Sequence, residues 1–412
     1  MIDTGDTAWV LMSTALVMLM TPGLALFYGG LVRQKNVLST IMHSFFLLAL
    51  ITVLWVVVGY SLAFAPSAGG LGLVGGLDFA FLNGVGQAPD PAYAPTIPAL
   101  VFMAFQMMFA VITPALISGA FAERKRFASF VIFAILWSIF VYSPLAHWVW
   151  GTGGWIRQLG ALDFAGGTVV HISSGVAALV AALVLGKRIR SESERFEPHD
   201  VTMTVLGAGL LWFGWFGFNG GSALGANGIA AQAFVTTTVA AAMACVTWVT
   251  VAWFHKGHAS VIGAASGAVA GLVAITPASG FVAVPAALLI GLGAGVVCYG
   301  AILLREHLQV DDALDVWAVH GVGGTWGAIA TGLFATTAVN AAGRDGLFYG
   351  NPGQLGIQLV AVAATWAFSA VATLLILKAI DVIIGLRVRH EDEVLGLDLT
   401  QHGEVAYQQG RA

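Results

Sequence analysis

The chain has 412 residues, of which 58% are hydrophobic and 9% charged, with a formal net charge of −4. Soluble domains carry about 25% charged residues, so too few charges remain here to coat a soluble enzyme. The slight acidity also excludes the basic face of a nucleic-acid binder. Glycine supplies 52 residues, well above the usual share of about 7%, and such an excess suits tightly packed membrane helices. Cys245 and Cys298 stand singly in apolar runs, without metal-ligand spacing or a disulfide framework.

A helix needs about 20 apolar residues to cross a hydrocarbon core roughly 30 Å thick. Such runs fall at residues 7–31, 38–64, 97–122, 127–150 and 166–186. A second group follows at 201–218, 229–254, 261–276, 282–304, 315–335 and 354–386. These predict an all-α membrane protein with eleven transmembrane helices; continuous apolar runs exclude a β-barrel. The first run has neither a basic n-region nor a small-residue cleavage site, so it reads as a span and not a removable leader. Segment 65–96 is rich in Gly and Pro and reads as an ordered outer loop. The last run is too long for one perpendicular crossing and should tilt or project. Near its end, Lys378 and Asp381 are spaced to pair on one face.

Basic residues fix an orientation. Arg33, Lys35, Arg124, Lys125, Arg126, Lys187, Arg188, Arg190, Arg195, Lys256, Arg305, Arg387, Arg389 and Arg411 follow odd-numbered spans, whereas only Arg157 and Arg344 fall on the other side. Positive loops face the cytoplasm, which places the N-terminus outside and the C-terminus inside. The chain then divides into a membrane domain, residues 1–386, and a cytoplasmic C-terminal tail, residues 387–412. Within the membrane domain, residues 7–186 and 201–335 form two five-helix halves of opposite orientation, followed by the last helix at 354–386. The clearest correspondence between the halves is Val170-His171 against Val319-His320, each preceded by an acidic residue, Asp163 or Asp315. Inverted repeats of this kind place transport sites near the midplane. Chance recurrence of a Val-His pair in a Val-rich chain is the competing explanation.

Ionisable residues within spans are functional candidates by default. The deep set is His43, His171 and His320, with Glu123, Asp163 and Asp315 at the margins. Two neutral imidazoles brought together by symmetry would share a hydrogen bond, and such a pair suits a small neutral solute or a proton relay. Two aromatic clusters also stand out, Phe105 to Phe109 and Trp212 to Phe218, the second running on to Ser222. Converging with Trp150 at an outer vestibule, such rings would attract a cation, worth about 2 kcal/mol when desolvated. An interfacial aromatic belt would leave the same pattern.

The run Gly160-Ala-Leu-Asp163-Phe-Ala-Gly-Gly-Thr-Val-Val-His171 resembles the signature of the Amt/MEP/Rh family, specifically its bacterial ammonium transporters. So do Gly214-Trp-Phe-Gly-Phe218-Asn-Gly-Gly-Ser222, the Asp311 to Asp315 run with His320-Gly321, and the tail's Gly385-Leu-Arg387 and His402-Gly-Glu404. The resemblance covers essentially the whole chain. It implies a homotrimeric transporter in the cell membrane, not an enzyme, with one pore per subunit and no cofactor or metal. Carried over by motif, Phe109, Trp150 and Ser222 would recruit ammonium, and Phe109 with Phe218 would form a stacked gate. His171 and His320 would line the pore beside Trp215, and Asp163 would support the vestibule.

The cation would lose its proton near the gate and ammonia would pass the histidines, with proton co-transfer as the electrogenic variant of the same route. Methylammonium fits the same path. An ammonium sensor, a Rh-type gas channel and a bis-histidine haem protein are the alternatives. In members with this tail, a PII-type signalling protein blocks the inner pore mouth. Composition alone would read the tail as solvated charge balance.

Overall fold

The computed structural model describes residues 1–189 and 196–407, so Arg190, Arg195 and Arg411 lie outside the described residues. Nine helices among the described residues are long and apolar enough to cross a membrane. They are α1 (Thr4–Leu31), α2 (Gln34–Phe64), α3 (Ala99–Phe121), α4 (Phe127–Leu159, broken by a turn at 151–154) and α5 (Gly167–Leu185), then α6 (Val201–Ala223), α7 (Gly228–Lys256), α9 (Val284–His307) and α11 (Pro352–Ile384). Two shorter helices complete the bundle: α8 (Val261–Ile275) and α10, formed by Trp317–Val322 and Gly323–Phe334. Each apolar run read from the sequence falls on one of these helices.

Local chemistry sets the helix ends. Asp3 accepts from the Asp6 N–H to open α1, and Asp200 and Ser260 accept from Met203 and Gly263 to open α6 and α8. Asn227 caps α7 through the Ile229 and Ala230 N–H groups, and Gly257, in the left-handed region, ends it. Between these caps the helical ladder satisfies the backbone, as hydrocarbon requires.

Packing explains the glycine excess. A Cβ on Gly207 of α6 would lie 2.3 Å from the Phe27 nitrogen of α1, and one on Gly291 of α9 would lie 2.4 Å from the Ala240 oxygen of α7. Only a residue without a side chain permits such approach. The 65–98 connection is ordered. A short antiparallel pair, Pro89–Asp90 with Ala94–Pro98, is held to α2 by the Tyr93 hydroxyl donating to the Phe64 carbonyl at 2.8 Å.

At the opposite end of the bundle, buried charges tie the loops together. Glu123 sits at φ 72°, an uncommon conformation for a residue with a side chain. Its carboxylate accepts from the Arg33 N–H and Nε, Asn36 Nδ2 and Arg188 Nη1. Burial pushes this carboxyl up, but Arg188 and Arg33 overcome that and hold it below its ordinary value. Asp311 is also pushed up by burial, yet paired bonds from Arg188 bring it down to about 2.

The tail folds onto the same end. Arg387 pairs with Lys125 as an isolated antiparallel bridge, and the Val388 N–H donates to the Arg124 carbonyl at 3.1 Å. Glu393, almost fully buried, accepts from the Ile189 N–H at 2.6 Å and from Arg387. Asp398 caps α2 by accepting from the Ser39 N–H at 2.8 Å. Glu393 and Asp398 thus bind particular donors of their own chain, which corrects the compositional reading of a solvated tail. The Lys378–Asp381 pair expected on α11 is absent from the ion pairs of the described residues. Gly385 turns the chain at φ 75°, and Asp381 instead accepts from the Leu386 N–H.

Candidate functional site

At the end of the bundle away from the tail, α3, α4 and α6 enclose a vestibule of about 200 Å³. Its lining includes Phe109, Trp150, Phe164 and Ser222. The Trp150 Nε1–H donates to the Asp163 carbonyl at 3.0 Å, which occupies its polar edge and leaves the ring face as its offering. The Ser222 hydroxyl donates to the Phe218 carbonyl at 2.7 Å, so its oxygen lone pairs are what it presents to a ligand. Phe109 meets Trp150 edge-on, with centroids 6.0 Å apart.

Below the vestibule Phe109 and Phe218 close together, centroids 4.3 Å apart. Their planes are inclined at 40°, a tilted face-to-face pair. Phe105, one helical turn before Phe109, packs edge-on against it at 5.0 Å.

Beneath Phe218 lies a narrow cavity of about 10 Å³ walled by Leu24, Ile112, Leu116, Trp215 and Val269, with His171 and His320 as its polar groups. The two imidazoles face each other, Nδ1 to Nδ1, at 3.2 Å. His171 stacks on Trp215 at 5.5 Å and on Phe218 at 6.0 Å, the planes inclined by 24° and 21°. The Trp215 Nε1–H is itself fixed by the Thr276 hydroxyl at 2.9 Å. If one Nδ1 donates, the other accepts, and two neutral rings then leave one Nε2–H donor and one Nε2 lone pair. His43 lies elsewhere, boxed by Phe121, Phe127 and Phe130 near the tail.

Three features missed in the sequence hold this pair. Both histidines sit in π-helical turns, Gly167–Ile172 and Trp317–Val322, a local widening that recurs at functional positions. Each turn is opened by an aspartate eight residues upstream of its histidine. Asp163 accepts from the N–H groups of Gly166, Gly167 and Thr168 and from the Thr168 hydroxyl. Asp312 accepts from the Trp317 N–H at 2.7 Å. The counterpart of Asp163 is therefore Asp312 and not Asp315, which pairs with Arg305 at 2.7 Å. The equal spacing to each histidine was the available signal. The third feature is the crossing of α5 and α10 at Gly175 and Gly321, where an added Cβ on Gly175 would lie 2.0 Å from the Gly321 nitrogen.

Among the described residues no group of three or more His, Cys, Asp or Glu side chains could hold a metal ion. Residues 8–407 match the Ammonium Transporter Family. An ammonium transporter of Bacillus subtilis is 56% identical over 405 residues, covering 98% of each chain. The crystal structure of Saccharomyces cerevisiae Mep2 superposes with a TM-score of 0.91 at 38% identity, covering 100% of this chain and 93% of that one. A solved structure described as a sensor Amt protein gives 0.87 at 31% identity, covering 97% and 98%. On this match the chain belongs to the ammonium transporter family and is a multi-pass protein of the cell membrane.

Proposed function

We propose that the protein transports ammonium by binding the cation at the vestibule, leaving its proton with the solvent of the vestibule above the Phe109–Phe218 constriction, and conducting ammonia past His171 and His320. The observation that carries this reading is the imidazole pair, hydrogen-bonded across 3.2 Å in an otherwise apolar cavity beneath two closed rings. A bare cation entering such a cavity loses its hydration without a counter-charge, at a cost of several kcal/mol. Ammonia has no such cost, and the free Nε2 donor and acceptor match its lone pair and N–H groups. Above the constriction, the Trp150 and Phe109 rings and the Ser222 oxygen offer a cation an electron-rich cradle. Asp163 positions Trp150 and the α5 start together, and Trp215 braces His171.

In this reading α1 to α11 all span the bilayer. The basic loops lie at the tail end, so the vestibule faces outside and the tail the cytoplasm. The matched π turns, the paired aspartates and the glycine crossings of α1 with α6 and α5 with α10 support an inverted repeat. Three subunits assemble, each with its own pore, and the docked tail offers a folded surface to a PII-type partner.

The test is current across a solid-supported membrane bearing the reconstituted protein, paired with uptake of labelled methylammonium. Saturable uptake with potassium excluded is expected, and a transient current on an ammonium pulse identifies proton co-transfer. Absence of any flux from a folded, reconstituted protein overturns the transport reading in favour of a sensor.

A further inference from the structure

The vestibule also carries a permanent cation. Arg157, exposed on the short helix Trp155–Leu159, forms part of its wall beside Tyr93 and Gln106. Its Nη1–H donates to the Trp150 carbonyl at 2.6 Å, and the guanidinium carbon stands 6.0 Å from the centre of the Tyr93 ring. Among the described residues no carboxylate lies within ion-pairing distance of it. A guanidinium does not deprotonate in a protein. A chamber lined with ring faces therefore has a fixed positive charge on its rim, pinned to the backbone of the residue that supplies one of those faces.

We propose that Arg157 is a selectivity-determining residue of the vestibule, a fixed charge that excludes multivalent cations more steeply than ammonium. The proposal rests on the vestibule being the recruitment site. Low-dielectric walls focus the field of a charge inside a cleft, and the bond to the Trp150 carbonyl keeps this one from swinging away. The energy of a mobile cation in that field scales with its own charge. Whatever factor lowers the occupancy of a monovalent ion is thus squared for a divalent one. Aromatic faces attract cations without regard to identity, so a diammonium compound would otherwise compete well there. The rim charge supplies the discrimination that the rings lack.

The sign of the effect separates this role from a merely structural one. If Arg157 only clamps Trp150, its replacement loosens the ring and weakens ammonium binding. If its charge acts, replacement strengthens binding. Full-length protein in proteoliposomes would be assayed for ammonium-driven current, with doubly protonated 1,4-diaminobutane as competitor. Arg157→Gln keeps a donor for the Trp150 carbonyl and removes the charge. It is expected to lower the KM about threefold and the half-inhibitory diamine concentration about ninefold, both gains shrinking as salt is raised. Arg157→Glu should move both further, and Arg157→Lys neither. A KM that rises in the Gln and Glu variants, or diamine inhibition that does not change, overturns the proposal. Trp150→Leu is the control for the site: an unchanged KM in that variant sinks the recruitment reading itself, whatever Arg157 does.

Discussion

Gly175→Ala adds one methyl group where α5 and α10 cross. Its Cβ would stand 2.0 Å from the Gly321 nitrogen, 2.3 Å from the Gly321 Cα and 2.8 Å from the His320 carbonyl carbon. All three are backbone atoms, so no side chain can swing aside. Ordinary contact begins near 3.4 Å, so the helices must part by about 1.4 Å, an overpacking strain of the order of 1–3 kcal/mol. The histidines ride on these two helices, at positions 171 and 320, and their 3.2 Å bond stretches past hydrogen-bonding range. Losing it adds about 1 kcal/mol. The expected outcome is a clearly lower melting temperature in detergent together with collapsed methylammonium uptake. Gly356→Ala is the matched control, because nothing lies within 4 Å of its added Cβ. It should leave both measurements unchanged. If Gly175→Ala kept wild-type uptake and melting temperature, the crossing would not be what sets the imidazole pair, and the reasoning from helix approach to pore geometry would fail.

His171→Ala and His320→Ala should each abolish or alter selective flux while the protein stays folded, since each leaves mainly a small cavity; wild-type flux with potassium still excluded would rule out the imidazole pair as the conducting element. Lys125 is fully buried between the Phe121 and Phe133 rings, its ammonium 4.4 and 4.6 Å from their centres, and burial lowers it to about 7. The folded state therefore binds fewer protons than the unfolded one between about pH 7 and 10.5, and stability attributable to this residue rises with pH across that window. Lys125→Met should raise the melting temperature most below pH 7, with the gain fading toward pH 10; a gain independent of pH would show that the charge is not the cause. Truncation after Arg389 removes the Glu393 acceptor and the Asp398 cap on α2, a cap being worth about 1 kcal/mol. Reduced uptake and lost binding of a PII-type partner are expected, and full activity with undiminished binding would show that the docked tail governs neither.

The helices were legible because hydrocarbon leaves the chain little choice: every long apolar run had to be helical, and caps such as Asp200 and Asn227 stand where the runs begin. The histidine pair was legible too, as two Val-His steps in corresponding runs. What escaped was geometry without a compositional trace. A π turn inserts one residue per loop of helix and changes no residue type, so nothing in Gly167–Ile172 announces it. Asp315 looked like the partner of Asp163 because it begins the apolar run, but its backbone turns through φ 57°, which aims the side chain at Arg305 and leaves Asp312 to cap the helix. Lys378 and Asp381 had the right spacing, yet the helix ends three residues after Asp381, and Asp381 accepts from the Leu386 N–H where the chain turns.

These escaped features share one purpose. Two imidazoles in an apolar cavity are costly unless each satisfies the other, and they can do so only if two helices come within backbone contact at the right turn. The glycines at 175 and 321 remove the side chains that would prevent it. The π turns rotate His171 and His320 toward one another without ending either helix. Asp163 and Asp312 occupy N–H groups that each widened start leaves unpaired. The rings are bonded to each other and walled by Trp215 and Leu24. In the transport reading proposed above, the pair would be a hydrogen-bonding surface for ammonia and a poor one for potassium, which cannot leave its charge behind.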